Sequence, residues 1–172
     1  ANWFIELERD RRTAIVESLA EQTGSLKIDA PGGTFTLTAK ADRIDRYGDG
    51  TLDIIDYKTG ILPSRAKVSS GEAPQLPLEA AIANRGGFKN LVGGPSRALV
   101  YIRLSGGEPA GESWAIDQDV STLSEEALSG VKSLVAAFDD LSTPYRAIPI
   151  SDQTMRHSAY RHLARDLEWS SG

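Results

Sequence analysis

Five acids and a lysine crowd into residues 40–60, KADRIDRYGDGTLDIIDYKTG: Asp42, Asp45, Asp49, Asp53, Asp56 and Lys58, with Lys40 at the start. Strand geometry sorts them. Side chains two apart on a strand share a face, so Leu52, Ile54, Asp56 and Lys58 point one way, and Asp56 and Lys58 project side by side from one strand end. Asp42 closes the preceding strand, and a hairpin between the two would bring a second carboxylate towards Asp56. Two carboxylates a few ångström apart repel unless a proton or cation lies between them. A hard divalent cation such as Mg2+ takes one or two carboxylates and fills its other positions with water and phosphate oxygens. A lysine beside it can orient or deprotonate the attacking water, or stabilise charge on the phosphate. These are the parts of metal-assisted phosphodiester hydrolysis.

The elements that must position these groups are legible as patterns. Phe4, Leu7, Ile15 and Leu19 recur at helical spacing and predict a first helix over residues 3–22, ended by Gly24. Pro31-Gly32-Gly33 is a turn signal. Phe35, Leu37, Ala39 and Ala41 alternate with Thr36, Thr38, Lys40 and Asp42, a period of two that predicts a strand. Gly48-Asp49-Gly50 then turns the chain into a second strand over 52–58. Residues 59–74 read as a loop, 75–85 as a helix stopped by Gly86-Gly87, 98–102 as a buried strand, 113–116 as a weaker strand, and 124–141 as an amphipathic helix. A polar tail over 150–172 carries a short helical stretch near 158–167. Helices distributed around a mixed sheet predict one α/β domain spanning 1–172.

Composition sets the outer limits. At 172 residues the chain has the size of one domain, and its composition is ordinary for a globular protein. It has no cysteine, so it carries no disulfide, thiolate zinc site, cysteine-ligated iron–sulfur cluster or cysteine nucleophile. No apolar run approaches the ~18 residues of a membrane span and no signal peptide is visible, which leads to the expectation of no membrane partner and a cytoplasmic setting. The net charge of −5 argues against non-specific coating of nucleic acid but not against an enzyme that meets DNA through metal ions. Beginning at Ala1 and entering a helical pattern at once, the chain reads as a fragment of a longer protein.

The order of these motifs carries a resemblance. Asp42 followed by Asp56-x-Lys58 on the next strand resembles the PD-(D/E)XK nuclease superfamily. Ala-Asp42-Arg-Ile-Asp45, Asp56-Tyr57-Lys58-Thr59-Gly60 and Gln75-Leu76-Pro77-Leu78 look like the C-terminal nuclease domain of the RecB and AddB families. His162-Leu163-Ala164-Arg165 and Glu168-Trp169-Ser170 are similar to the end of alphaproteobacterial AddB. The resemblance implies an α/β fold with a restriction-endonuclease-like central mixed sheet flanked by helices. It implies a deoxyribonuclease, exonucleolytic and dependent on Mg2+ with Mn2+ as a substitute, in a bacterial cytoplasm. It further implies single-stranded DNA ends as substrate during double-strand break processing, and an AddA-like helicase–nuclease as partner. Asp42 matches the first metal-binding acid, Asp56 the second, Lys58 the catalytic lysine and Gln75 the glutamine of a helix motif that usually reads Gln-x-x-x-Tyr. Glu79 stands at that tyrosine position.

Many members add an acid from the first helix, and Glu6 and Glu8 are available. Glu6 shares a polar face with Arg9, Asp10, Thr13 and Glu17, whereas Glu8 falls between Phe4 and Ile15 on the inward stripe. An inward carboxylate needs a partner, and a metal would serve, so Glu8 is the preferred third ligand. The four-cysteine iron–sulfur staple of several relatives is excluded.

Plainer readings stand beside these. The same fold could be a non-catalytic module that holds DNA or a partner. Asp45-x-x-x-Asp49-Gly50 with Asp56 at position twelve echoes an EF-hand calcium loop, but Tyr47 fills position three and strands flank it. Asp45, Asp49 and Asp53 read as turn and surface acids, and Arg43 and Arg46 as phosphate contacts or solvated residues. Lys89 and Arg97 read as solvated charge, and His157 and His162 as structural. Leu123, Leu128, Val131, Leu134, Val135 and Phe138 form a packing stripe, and Tyr101 and Trp114 pack in or beside the sheet.

Overall fold

The computed structural model describes residues 2–117 and 119–144. The tail helix near 158–167, the two histidines and the closing tail motifs lie outside the described residues. Nine elements follow one another: α1 (Asn2–Arg12), β1 (Ile15–Ala30), β2 (Gly33–Tyr47), β3 (Leu52–Lys58), α2 (Arg65–Ser69), α3 (Gln75–Asn84), β4 (Ser96–Leu104), β5 (Gly111–Ile116) and α4 (Val120–Asp139). The five strands form one sheet in the order β1-β2-β3-β4-β5. β3 and β4 are parallel and the other neighbours antiparallel, so the sheet is mixed, as expected. Among the described residues no helix is long and apolar enough to cross a membrane.

The largest departure from the sequence reading is at the start. Residues 15–22 are strand, not the second half of a helix. The spacing of four between Ile15 and Leu19 puts both on one face of a helix and equally on one face of a strand, so periodicity alone does not separate the two. What decides is the partner: β2 pairs with β1 from end to end and satisfies its backbone. Gly24 therefore sits inside β1, bridged to Phe88, instead of ending a helix. Pro31 and Gly32 make the β1–β2 turn. The remaining elements fall within a few residues of their expected places, with α2 an addition inside the 59–74 loop.

One face of the sheet packs on α3 and α4. Ile44, Leu52, Ile54, Leu99 and Tyr101 meet Leu76, Ala80, Ile82, Ala83 and Val120 there. α3 is apolar almost all round, as a helix sandwiched between sheet and a second helix must be, and Glu79 is the one charged residue among its buried side chains. The other face packs on α1, where Ile55, Ala98, Val100 and Ile102 meet Trp3, Phe4 and Leu7.

β2 pairs with β3 only over Arg43–Arg46, so most of the β1–β2 hairpin is a two-stranded ribbon. The end of α4 lies along it, with Gly32 N–H donating to Asp139 Oδ2 at 2.7 Å. This thin support explains why the predicted stripe is only partly buried. Leu128 is 2% exposed, packed with Ile28 and Leu37, whereas Leu134 and Phe138 are 60% and 42% exposed.

Candidate active site

Asp42 stands where the hairpin changes character. Before it, Leu37, Ala39 and Ala41 face the α3/α4 core, and after it Ile44 does, so the inward parity of β2 switches across residues 41–44. The β1–β2 register passes from Ala20↔Arg43 to Gln22↔Ala41, and between them Glu21 has a φ of 55°, the left-handed conformation that non-glycine residues rarely adopt. The β2–β3 pairing runs from Arg46↔Leu52 to Arg43↔Ile55. One step beyond, Asp42 joins the adjoining strand by its side chain: Tyr57 N–H donates to Asp42 Oδ2 at 2.9 Å.

Asp56, 2% exposed, projects from β3 towards α3. Its Oδ1 accepts from Lys58 Nζ at 2.8 Å and from Gln75 Nε2 at 2.9 Å. Gln75 opens α3, and its amide works at both ends. Oε1 accepts from Lys58 Nζ at 3.1 Å, while Nε2 also donates to Glu79 Oε1 at 3.1 Å, one helical turn on. Lys58, Asp56 and Gln75 thus form a closed hydrogen-bonded triangle. The lysine side chain, 35% exposed, and the exposed Gln75 open on a cleft lined also by Lys67, Ser64 and Pro74. Tyr101, aligned with Asp56 on β4, walls the same cleft. Burial, reinforced by the Asp56 and Glu79 charges, pushes its hydroxyl pKa up.

Glu79 is 3% exposed. Burial pushes its pKa up to about 7, against the Gln75 hydrogen bond, and the charges of Asp56 and Asp42 add to the rise while Lys58 opposes it. In chelator, the folded protein therefore holds a proton on Glu79 that the unfolded chain has released, and the sign follows. This contribution to stability is complete below about pH 4.5 and is lost as pH rises through about 7. Up to about 3 kcal/mol is at stake. The melting temperature of metal-free protein is expected to fall between pH 5 and pH 8, and Glu79→Gln is expected to flatten that slope. Thermal melts across the pH range in EDTA check it; parallel slopes for both proteins would refute it.

Two buried oxygens here, Asp56 Oδ2 and Glu79 Oε2, have no hydrogen-bond partner among the described residues. Buried carboxylate oxygens left this way are costly unless a proton or cation completes them. No three His, Cys, Asp or Glu among the described residues gather tightly enough to cage an ion directly. The donor set is thus an open one, hard oxygens from few carboxylates, which fits a cation that keeps much of its water.

Glu8 is not brought to this place. It is buried, as the inward stripe predicts, but its two oxygens bond Arg43 Nη1 at 2.7 and 2.8 Å, and Arg12 lies 3.5 Å away. Arg43 also bonds the Tyr57 hydroxyl, on the sheet face opposite Asp56 and Lys58. The expectation that Glu8 completes the metal site is therefore corrected: α1 packs on the far face, and the partner is a guanidinium. Glu6 is exposed.

That far face holds a polar network absent from the sequence reading. Asp45 and Asp53, expected at the surface, are 0% and 1% exposed and directly opposite one another. Asp45 accepts from Arg43, Ser18 and Arg11. Asp53 accepts from Arg11, Tyr47 and Arg97, whose guanidinium lies 3.8 Å from the Tyr47 ring centre. Arg43 is thus an internal ion-pair partner, whereas Arg97, its side chain 49% exposed, pairs with the buried Asp53 from the surface. The hairpin register was the available signal: it sets two acids face to face, an arrangement that requires cations between them.

The model of the PD-(D/E)XK nuclease superfamily matches residues 1–158. The chain belongs to the PD-(D/E)XK nuclease superfamily. Its mixed five-stranded sheet between helices is the restriction-endonuclease-like architecture of that superfamily, whose members generally use divalent metal ions. Among curated proteins it is similar to uncharacterized proteins of Rickettsia. One from Rickettsia conorii is 25% identical over 76% of this chain and 18% of its own length, and one from Rickettsia felis is 23% identical over 94% of this chain and 22% of its own. The chain thus spans about a fifth of the length of the curated relatives it matches. Among solved structures it is similar to one titled crystal structure of SSO0001, at 14% identity and a TM-score of 0.44, covering 76% of this chain and 55% of that one.

Proposed function

We propose that this chain is a Mg2+-dependent deoxyribonuclease domain in which Asp42 and Asp56 hold the cation, Lys58 is catalytic and Gln75 positions it. The observation that carries the reading is the bonded Asp56–Lys58–Gln75 triangle at the end of β3, beside Asp42. When bound, the cation supplies Lewis acidity to the phosphate and makes water a better nucleophile. The chain's own residues do the rest. Asp56 presents its unpaired oxygen to the site, and Asp42 is held by the Tyr57 N–H at the adjoining strand end. Gln75 and Asp56 fix the Lys58 ammonium, which keeps a third donor for a phosphate oxygen or the attacking water.

Beyond the chemistry, the domain acts as an exonuclease on single-stranded ends in double-strand break processing, as part of an AddB-type subunit beside an AddA-like helicase–nuclease in a bacterial cytoplasm. The motif sequence supports this, and the chain's share of its relatives' length agrees with a nuclease domain borne on a larger protein. The test is linear single-stranded DNA, labelled at one end, incubated with the chain in EDTA, Mg2+ or Mn2+. Cleavage that needs the cation and disappears in Asp56→Asn is expected. DNA binding without cleavage under every cation would favour the non-catalytic module instead.

A further inference from the structure

We propose that Glu79 is a third carboxylate of the cation site, acting on the ion from α3 across the Gln75 amide. The inference rests on the nuclease reading above and adds a residue to it.

Three observations carry it. Glu79 is an ionisable side chain, 3% exposed, on a helix whose other buried residues are apolar. The Gln75 Nε2 group donates to Glu79 Oε1 and to Asp56 Oδ1 alike, so one NH2 ties the two carboxylates together. Each of those carboxylates then keeps a second, buried oxygen with no donor among the described residues, Glu79 Oε2 and Asp56 Oδ2.

A purely structural role accounts for too little. Orienting Gln75 uses one oxygen of Glu79, and a neutral glutamine would serve as well without bringing a buried charge beside Asp56 and Asp42. The remaining oxygen and the charge are explained together if a cation balances them. No three acids among the described residues close directly on one point, so Glu79 works at the edge of the site, supplying charge and an acceptor to the ion's hydration shell while Asp42 and Asp56 bind the ion itself.

The experiment is Mn2+ binding by calorimetry and by the Mn2+ electron paramagnetic resonance signal, with the Mn2+-induced rise in melting temperature as a second readout. Wild type, Glu79→Gln, Glu79→Asp and Asp56→Asn are compared. Glu79→Gln keeps an oxygen for Gln75 and removes only the charge. It is expected to weaken Mn2+ binding by about 10- to 100-fold, the scale of outer-sphere partners, and to shrink the thermal shift. Glu79→Asp, which retains the charge, is expected to lie closer to wild type. A metal-free Glu79→Gln protein at least as stable as wild type would show that lost affinity is not lost folding.

If Glu79→Gln binds Mn2+ within about twofold of wild type while Asp56→Asn does not bind, Glu79 is no part of the site and the nuclease reading survives. If wild type itself fails to bind Mn2+, the nuclease reading falls and this inference with it.

Discussion

Lys58→Ala is expected to lower the turnover of DNA cleavage by about 10²- to 10⁴-fold, the usual contribution of a positioned proton-transferring or charge-stabilising group. Affinity for the DNA should change little. Lys58 Nζ is held by Asp56 Oδ1 at 2.8 Å and Gln75 Oε1 at 3.1 Å, so its position is set before any substrate arrives. Such a group contributes most where charge develops in the transition state, and its loss then appears in kcat more than in KM. Lys58→Arg should not rescue. The guanidinium cannot give up a proton, and its planar fork does not fit a triangle built round one ammonium. Single-turnover cleavage alongside filter binding of the same DNA measures the two effects. Alanine protein that cleaves within about threefold of wild type would remove Lys58 from the chemistry. Glu79 offers an internal contrast: its variants should change the cation concentration needed for activity, whereas Lys58→Ala should stay slow at saturating cation.

Arg43→Met should destabilise the fold by about 3–5 kcal/mol, the cost of breaking a buried ion pair from one side. In a protein of this size that lowers the melting temperature by on the order of 10 °C. Arg43 is 8% exposed and holds both oxygens of Glu8, Oδ1 of Asp45 and the Tyr57 hydroxyl. Burial works against its charge, and the bonds to Asp45, Glu8 and Tyr57 outweigh that, holding its pKa above even the ordinary arginine value. Without the guanidinium, among the described residues Glu8 keeps the more distant Arg12, and Asp45 keeps Arg11 and Ser18. Adding Glu8→Met to Arg43→Met should recover part of the loss, because the stranded carboxylate leaves with its partner. Urea denaturation of both variants is the measurement, and a loss under about 1 kcal/mol for Arg43→Met would show that the network is not what fastens α1 to the sheet. Cleavage should suffer as well. Tyr57 bonds Arg43 through its hydroxyl on one face while its N–H holds Asp42 at the site. Arg43 is in that sense a positioning residue, and its variant should need more Mg2+ without losing the Lys58-dependent step.

Local order along the chain was enough for the core of the candidate site. Asp56 and Lys58 are two apart on a short regular strand, so strand geometry alone put them side by side, and the structure adds the bond between them. The turn signals at Pro31–Gly33 and Gly48–Gly50 bounded β2, and the five stretches read as β3, α3, β4, β5 and α4 became elements within a few residues of their expected limits. Tertiary structure decided three other things. Whether residues 15–22 coil or extend depended on β2 lying alongside, because a spacing of four satisfies both periods and only the partner strand supplies hydrogen bonds. Which face α1 covers decided the role of Glu8: the sequence showed a carboxylate turned inward, but inward meant towards Arg43 and not towards Asp42. The packing of α3 against the sheet set Gln75 and Glu79 over Asp56, a juxtaposition of residues 19 and 23 positions apart that no periodicity encodes. The common reason is range. A helix or strand period fixes how neighbours along one element relate, whereas a buried charge is assigned its partner by whichever element packs over it.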